Sequence, residues 1–585
     1  MQTIAFLAWL RKSNRVKEGL PATGEFDDTD DDQSVDVKHL SSHRPHLIVV
    51  PSSVLSNWQN EFAKFCPEMK VVKYHGSLKE RTEIKQSLRN HLSGGPNQKD
   101  QIDIILTTFS YFSSEKDDDR TFLKKFEIDY LIVDEAHCLK NPNGARYQNL
   151  YKFKTSHRLL LTGTPVQNSP EELMSLLCFL MPLFAEGAQV EFGDENESRA
   201  HAGQKMLRHF VEMEGGDVKD DSAAYRKLKH LFAPFVLRRR KEDVLSQILP
   251  PKTRRLESVP FDEATRKIYD GILEQHFKGQ RKGHIDSLVQ QHIFTQLRKA
   301  ANHPLLLRTR NKSKEAINHL TTRFFEYGYF GRDNSCTVKH VQQELEKMSD
   351  FDIHLAVLEL MDENPCRIAE MKRYTLEEID LFSSPKFERL RVLLPELISK
   401  GHRILIFSQW TKCMDLLGCL MESLNLTFFR LDGQTQISGR QNLIDKFNKD
   451  PSIPVFLLST RAGGMGINLT AADVCILHDL DFNPFNDLQA EDRCHRIGQK
   501  KCVTVIKMIT TGTVDADIYE MQQRKAKMNA AILQDGGEIE FSKVEEKEMV
   551  GKLLNTALDR FLTSPAAENK ASFFDSQESL LISHI

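Results

Sequence analysis

The sequence predicts an α/β protein made of two parallel-sheet units with a mostly helical stretch between them. Short, β-rich apolar runs alternate with amphipathic stretches in two parts of the chain, and the middle lacks such runs. The runs are apolar throughout rather than at alternate positions, which indicates strands that are buried on both faces by helices. The 585 residues are 40% hydrophobic and 28% charged, a composition that excludes a wholly disordered chain.

The first unit is predicted to span residues 1–255. Its opening segment, MQTIAFLAWLRK, has no basic region before the apolar stretch and no cleavage site after it, so we interpret it as a buried helix rather than a signal peptide. Residues 25–36 hold seven acids and no bases, which predicts a solvated acidic insertion. The predicted strands are His46–Val50, Val71–His75, Asp103–Thr108, Tyr130–Asp134 and Arg158–Thr162.

The second unit is predicted to span residues 386–515, after a helical protrusion or hinge region at 256–385. Residues 516–550 are predicted to form a helix that packs back on this unit, and 551–585 a flexible tail. The predicted strands are Arg403–Ser408, Thr427–Leu431, Val455–Ser459, Val474–Asp479 and Val503–Met508.

The net charge of −3 excludes a uniformly basic nucleic-acid binder but permits a locally basic face. Residues 226–255 hold ten bases and two acids and are the candidate for such a face. A nuclear-import signal is the alternative interpretation of the basic run within them.

The ten cysteines contain no CxxC pair, which excludes zinc ribbons and thioredoxin-type sites and fits a reducing compartment. No apolar run reaches the length of a membrane span.

An acidic pair follows a hydrophobic strand of the first unit. Tyr130–Asp134 leads directly into Asp134-Glu135-Ala136-His137, the Walker B arrangement. Asp134 would emerge where Mg²⁺ and a γ-phosphate bind, and Glu135 could polarise the attacking water. The alternative is an exposed acidic turn.

Hydroxyls stand at the tip of the next strand, where Thr162 and Thr164 flank Gly163. Such hydroxyls can hydrogen-bond a catalytic carboxylate network, although a plain turn is the alternative.

In the second unit a glycine-rich loop containing Gly463, Gly464 and Gly466 follows a strand and permits close backbone approach to a phosphate. Arg493 and Arg496 are three residues apart, which predicts one helical face from which both reach the same anion. A solvated basic turn is the alternative.

Together these segments resemble the superfamily 2 helicases and, within them, the Swi/Snf-type DNA translocases, most closely the SMARCAD branch of chromatin remodellers. The resemblance covers residues 1–550 and rests on the motifs DEAHCLKN, LLLTGTPVQN, FVLRRRKEDV, LIFSQW, STRAGGMGINLT and QAEDRCHRIGQ. It implies two RecA-like lobes with helical insertions between them and a C-terminal brace helix.

The resemblance also implies residue roles. Asp134 holds Mg²⁺, Glu135 is the base that orients water, and Ala136 and His137 complete the motif. The residues implied to bind ATP or to couple its site to DNA are Thr162, Thr164, Gly463, Gly464, Gly466, Gln489, Arg493 and Arg496. The implied DNA contacts lie at or just after strand ends, beginning with the segment Pro51-Ser52-Ser53 after the first strand. The residues are Ser52, Ser53, Thr108, Ser408, Gln409, Thr460 and Arg461. Small hydroxyls and backbone amides suit phosphate oxygens, which carry no sequence information.

The activity implied by the family is ATP-dependent translocation on double-stranded DNA that remodels nucleosomes, with ATP and Mg²⁺ as cofactors, in the nucleus and away from membranes. Roles in DNA repair and heterochromatin maintenance are implied as well. A strand-separating helicase shares the motifs, and strand displacement on a forked duplex would favour it.

The sequence departs from the family pattern in one motif. No GK[ST] tripeptide stands in a strand-to-helix setting in residues 1–585, so we expect the first lobe to lack its P-loop strand and to carry an unfilled slot with exposed strand edges. The chain as given is then expected to bind ATP poorly and to hydrolyse little of it. The alternative function is a P-loop-less, catalytically impaired isoform or fragment that acts as a DNA- or nucleosome-binding module.

Overall fold

The computed structural model describes residues 1–19, 44–92, 102–113, 118–163, 170–181, 233–237, 239, 241–280, 287–331, 336–363, 369–460, 466–532 and 543–562. The chain divides into two compact units, the first ending at Arg239 and the second beginning at Arg240. The acidic insertion predicted at 25–36 lies outside the described residues. Each unit contains one parallel sheet with helices, which confirms the predicted fold class.

The first unit contains a five-stranded parallel sheet in the order β2-β3-β1-β4-β5. Val50 pairs with Thr108, Val49 with Val133, and Val133 with Leu160, so the strands end at one edge of the sheet. The strands are β1 (His46–Val50), β2 (Val71–Lys73), β3 (Ile104–Thr108), β4 (Ile128–Val133) and β5 (Thr155–Leu160).

Helices cover both faces of this sheet, and this explains why the strands are continuously apolar. Along β1, Leu47 and Val49 join one buried cluster, whereas Ile48 and Val50 join another that includes Ile4 of the first helix. The described helices are α1 (Gln2–Gly19), α2 (Leu55–Phe65), α3 (Leu78–Leu92), α4 (Asp118–Leu123), α5 (Ala145–Tyr151) and α6 (Pro170–Leu180).

The expected slot is not found inside the sheet, because every described strand of the first unit pairs with its neighbours without a gap. An exposed edge is present at β5, where Ser156 and His157 are exposed. The described sheet is open, with β2 and β5 as its two edge strands.

The second unit contains a six-stranded parallel sheet in the order β6-β11-β10-β7-β9-β8. The sequence did not predict β6, because its charged sequence KTRRLESV contains no apolar run. It pairs only with β11, at the edge of the sheet, where charged side chains reach solvent. Residues 252–255 therefore belong to the second unit, whereas the sequence predicted that the first unit extends to residue 255. The strands are β6 (Lys252–Val259), β7 (Ile404–Ser408), β8 (Phe428–Leu431), β9 (Val455–Ser459), β10 (Val474–Leu477) and β11 (Val503–Thr510).

The described helices of the second unit are α7 (Lys241–Leu245), α8 (Glu263–Gln280), α9 (Ser287–Asn302), α10 (Lys314–Glu326), α11 (Val338–Lys347), α12 (Asp350–Glu363), α13 (Glu378–Leu381), α14 (Pro385–Ser399), α15 (Thr411–Ser423), α16 (Ile437–Lys449), α17 (Pro484–Glu491), α18 (Val514–Ile532) and α19 (Lys543–Leu562). The predicted brace begins as α18. The segment expected to be a tail from residue 551 is helical to Leu562, because Leu554 and Ala557 pack into the core with Leu297 of α9. No helix in the described part of the chain is long and apolar enough to cross a membrane.

Candidate functional site

The Walker B turn is fixed by backbone hydrogen bonds on both sides. The Asp134 amide donates to the Val49 carbonyl of β1 at 2.9 Å, and the Ala136 amide donates to the Leu161 carbonyl beyond β5, also at 2.9 Å. Glu135 lies between them in the left-handed region, with φ 51° and ψ 53°. A non-glycine residue in that region is strained and keeps this conformation only where its surroundings hold it. The neighbouring strands therefore impose the geometry of this turn.

The carboxylate of Asp134 is oriented by two donors. Trp58 Nε1 of α2 donates to Oδ2 at 2.8 Å, and the Glu135 amide donates to Oδ1 at 3.0 Å. A carboxylate has about four lone-pair sites, so both oxygens retain acceptor capacity. That is the donor type that Mg²⁺ takes from proteins, with water and substrate phosphate as its other ligands. No group of three His, Cys, Asp or Glu side chains that could hold a metal ion occurs among the described residues.

Glu135 is paired with His137 through a distance of 3.3 Å between Oε2 and Nδ1. Burial lowers the pKa of His137, but hydrogen bonds to Cys138 and Glu135 outweigh it and raise the pKa to about 10. The ring of His137 therefore lies beside the Glu135 carboxylate in an arrangement that favours its charged form.

The other predicted residues of the first unit lie at the same edge of the sheet, after β1, β3 and β5. Ser52 and Ser53 are half-buried, and the Ser53 hydroxyl has no partner in the described chain. Thr108 is buried and shares a 2.7 Å hydrogen bond with Ser110. Thr162 is half-buried after β5, and Thr164 lies outside the described residues. Ser52, Ser53, Thr108 and Thr162 thus lie at the same edge of the parallel sheet as Asp134.

In the second unit, Ser408 and Gln409 are organised by Asp479, a residue that the sequence did not single out. Ser408 is fully buried, and its hydroxyl donates to Oδ2 of Asp479. The Gln409 amide donates to Oδ1 at 3.0 Å. Burial raises the pKa of Asp479 above its usual range. The position of Asp479 after the strand next to β7 is the signal that could have identified it.

The Gln409 side chain reaches a second anchor. Its Oε1 accepts from Arg298 of α9 at 3.4 Å, whereas its Nε2 is buried and has no acceptor in the described part of the molecule. The Gln409 side chain is therefore held through its Oε1, while its Nε2 remains an unused donor.

The prediction that Arg493 and Arg496 share a helical face is wrong. Helix α17 carries Gln489 but ends at Glu491, and both arginines lie in the turns that follow. The helix ends there because the Arg493 amide bonds to the Ala490 carbonyl, three residues back rather than four.

Arg496 instead binds the glycine-rich loop, since its Nη1 donates to the Gly466 carbonyl at 3.0 Å and the Ile467 carbonyl at 3.3 Å. Gly466 has a φ of 67°, which favours glycine there. Arg493 and Thr460 are buried. Arg461, Gly463 and Gly464 lie outside the described residues.

The basic window at 226–255 is partly neutralised within the second unit. The buried Glu491 carboxylate accepts from Lys252 at 3.0 Å and from Arg254 at 2.9 Å, and Arg255 pairs with Glu257 at 2.7 Å. Arg226, Lys227, Lys229, Arg238 and Arg240 lie outside the described residues. The charge of the sequence window therefore overstates the free positive charge of this strand.

Two family models match the chain. The SNF2-related domain matches residues 1–306, and the helicase conserved C-terminal domain matches residues 385–498.

Curated relatives match over most of this chain. "Protein CHROMATIN REMODELING 19" of Arabidopsis thaliana is 36% identical over 533 residues, which are 88% of this chain and 65% of that protein. "SWI/SNF-related matrix-associated actin-dependent regulator of chromatin subfamily A containing DEAD/H box 1A" of Danio rerio is 39% identical over 84% of this chain and 47% of its own length. "ATP-dependent helicase fft2" of Schizosaccharomyces pombe is 36% identical over 88% of this chain and 38% of its own length. The chain thus spans about half the length of the curated relatives it matches.

A solved structure titled "Crystal structure of the C-terminal part of Fun30 ATPase domain" aligns with 53% of this chain and 98% of its own, at 28% identity and a TM-score of 0.44.

Proposed function

The chain belongs to the SNF2-related family, and from this premise we propose that it is an ATP-dependent translocase on double-stranded DNA, of the chromatin-remodelling class. The names of its relatives support this class, since they describe chromatin remodelling proteins and an ATP-dependent helicase. Nucleosomes are the proposed substrate and the nucleus the proposed location. Sliding of nucleosomes, DNA repair and heterochromatin maintenance are finer roles of the same proposal.

The observation that carries the proposal is the shared strand edge of the first unit. The residues after β1, β3, β4 and β5 lie there together, so one edge combines an oriented acidic pair with hydroxyls suited to phosphate oxygens. Ligands of parallel sheets bind at the carboxyl ends of their strands.

The proposed chemistry assigns a separate task to each acid. A Mg²⁺ ion on Asp134 would neutralise charge that develops on the phosphates. Glu135 accepts hydrogen bonds from the attacking water and orients it, and its backbone is held in the left-handed region by the hydrogen bonds of its two neighbours. Trp58 keeps Asp134 turned toward the ligand by occupying Oδ2 from one side.

In the second unit, Gln489, Arg493 and Arg496 are proposed to act on the nucleotide phosphates. Arg496 already binds the carbonyls of Gly466 and Ile467, so in this conformation it positions the glycine-rich loop. Reaching a phosphate would require Arg496 to exchange those two acceptors for the stronger, charged one.

Duplex DNA is proposed to bind through its phosphates at Ser52, and at Ser53 and Gln409 once rotation of these two half-buried side chains exposes their buried donors. Thr108, Ser408 and Thr460 are buried in this structure and are proposed to support those contacts rather than to touch DNA. Recognition of phosphates predicts affinity without sequence preference and with a steep dependence on salt.

The decisive experiment measures ATP turnover by the 585-residue chain with and without duplex DNA, beside the Glu135→Gln variant. Duplex binding is followed in parallel by fluorescence anisotropy at several salt concentrations. Because no GK[ST] tripeptide stands in a strand-to-helix setting within residues 1–585, low turnover is the expectation for this chain. Turnover that DNA stimulates and that Glu135→Gln abolishes would overturn that expectation and support the translocase.

Two other results would each redirect the assignment. DNA binding with turnover no higher than that of Glu135→Gln would favour the DNA- or nucleosome-binding module. Absence of DNA binding would contradict both functions. Displacement of one strand from a forked duplex would favour a strand-separating helicase over a translocase.

A further inference from the structure

The second unit contains an open cavity of about 830 Å³ that the residues of the proposed ATPase and DNA sites do not occupy. Its walls come from α8, α9, the segment after α9, the end of α11 with the start of α12, and the start of α15. Cavities of roughly 300–1000 Å³ are the size that proteins use for small ligands and for the anchor side chains of partners.

One wall of this cavity is apolar. Ile268 and Ile272 of α8 face it together with Ile293 of α9, and Met348 contributes from the end of α11. The three isoleucines are only partly buried by the core beneath them. A bare phosphate or metal ion would leave this wall uncovered, so the wall favours an occupant that also carries an apolar group.

Among the charged residues of the lining, cations outnumber carboxylates. The lining holds six lysine or arginine side chains and two carboxylates. Three of these cations, Lys299, Arg308 and Lys312, form no ion pair with a carboxylate among the described residues, and Lys299 lies 5.9 Å from the ring centre of Trp410. The other three, Lys267, Lys347 and Lys412, pair with Glu263, Glu344 and Asp352. The six cations are Lys267, Lys299, Arg308, Lys312, Lys347 and Lys412, and the carboxylates are Glu346 and Asp352.

Buried donors on the lining residues are also unsatisfied. Arg308 gives two hydrogen bonds to the Leu345 and Asn311 carbonyls, but its Nε is buried and has no acceptor in the described chain. The indole Nε1 of Trp410 is likewise buried and has no acceptor among the described residues. A buried donor without an acceptor is costly, but these two atoms are closed off from the open cavity, so they do not select its occupant.

We propose that this cavity is a docking site for an acidic peptide segment of a partner protein, with an aliphatic anchor side chain on the isoleucine wall and carboxylates on the surrounding lysines. The combination of charge surplus and apolar wall selects this occupant. Duplex DNA presents a convex row of phosphates and has no group that would cover the apolar wall.

The test uses a short fluorescein-labelled peptide rich in glutamate with two central leucines, and a matched peptide in which serines replace the leucines. The full chain is expected to bind the first peptide more tightly than the second. The double variant Lys299→Glu/Lys312→Glu is expected to weaken binding of the leucine peptide by about tenfold, because these two unpaired cations become repulsive.

The control is Lys446→Glu/Lys449→Glu, which changes the charge of the same unit by the same amount on the exposed part of α16. It is expected to leave peptide affinity close to that of the unmodified chain. Equal peptide affinity in the two double variants would overturn the proposal, as would equal affinity for the leucine and serine peptides.

A third measurement separates the proposal from the DNA interface. If Lys299→Glu/Lys312→Glu weakens binding of a short duplex more than the control does, while peptide binding is unchanged, then these cations serve DNA and the cavity is not a peptide site. All variants replace side chains at the surface or in the open cavity, and circular dichroism verifies that each one is folded.

Discussion

The indole Nε1 of Trp58 donates a hydrogen bond of 2.8 Å to Oδ2 of Asp134, although 76 positions separate the two residues. The contact exists because β1 and β4 are neighbours in the sheet, and α2 leaves the end of β1 beside the end of β4. A tryptophan at this point limits the carboxylate to one orientation without adding a charge that would compete with a metal ion.

We predict that Trp58→Phe lowers the stability of the first unit by about 1.5 kcal/mol, because a hydrogen bond to a charged carboxylate is lost while the ring packing is largely kept. Amide hydrogen exchange in β1, His46–Val50, measures this unit alone. Trp9→Phe is the control, since the Trp9 side chain is 61% exposed. Equal protection of β1 in the two variants would show that the indole contact contributes no stability.

A second prediction concerns Lys386, which is fully buried in the second unit. Its Nζ donates to Asn302 Oδ1 at 2.9 Å, to the His478 carbonyl at 2.8 Å and to Asp515 Oδ2 at 2.6 Å. Lys386→Met should lower the stability of this unit by about 3–5 kcal/mol, because it leaves the Asp515 carboxylate buried without its partner.

Hydrogen exchange in β10, Val474–Leu477, reports the effect of Lys386→Met. The control Lys400→Met removes an exposed lysine that pairs with Glu396 within one helix and should cost less than about 1 kcal/mol. Adding Asp515→Leu to Lys386→Met should restore much of the loss, because the unpaired charge is removed. A double variant no more stable than Lys386→Met would contradict the assignment of the cost to Asp515.

The strands show what the sequence could and could not predict. Buried parallel strands such as β1 and β7 are apolar at every position, so their burial is visible in the sequence. By contrast, β6 is held by backbone pairing with β11 at an edge, and backbone pairing leaves no pattern in side chains. Two of its charges, Lys252 and Arg254, are paired with the buried Glu491, which lies more than two hundred residues away.

The site shows the same division. The acids after β4 were predictable because a strand end has a local signature, whereas Trp58 and Asp479 act through contacts between distant segments. The helical face expected for Arg493 and Arg496 failed because spacing alone does not tell where a helix ends, and α17 ends two residues before the first of them.

A third prediction separates Ser408 from Gln409, although both stand in the same motif. Ser408 is fully buried and donates to Asp479, whereas Gln409 keeps an unused Nε2 donor. Gln409→Ala should therefore weaken duplex binding by about fivefold, the value of one lost hydrogen bond of about 1 kcal/mol.

Ser408→Ala is the matched variant for that experiment. It should leave DNA affinity nearly unchanged and instead reduce the exchange protection of β7, because the buried Asp479 loses a donor. Fluorescence anisotropy with a labelled duplex measures affinity for both variants. A larger loss of affinity in Ser408→Ala than in Gln409→Ala would mean that the hydroxyl leaves Asp479 and contacts DNA directly.

The last prediction is a dependence of stability on pH that arises at His303. Burial lowers the pKa of this histidine to about 4. Its Nδ1 accepts from the Leu305 amide at 3.1 Å, so the neutral ring carries its proton on Nε2, which lies 2.9 Å from the Leu381 carbonyl. Protonation of Nδ1 would place a second donor against the Leu305 amide.

As the pH falls from about 6.5 toward about 4, the unfolded chain binds a proton at this position and the folded chain does not, so stability is lost over that interval. The lowering corresponds to about 3 kcal/mol for a fully buried group. His303→Gln should therefore lose about 3 kcal/mol less stability than the unmodified chain between pH 7 and pH 4, measured by exchange protection in β10 and corrected for the intrinsic pH dependence of exchange. The carboxylates titrate in both proteins and cancel in this difference. The buried His478 does not cancel completely, because the pKa of His478, which burial lowers, is also lowered by the charge of His303. The exposed His340→Gln variant should behave like the unmodified chain, and an identical pH dependence in His303→Gln would exclude His303 as the source.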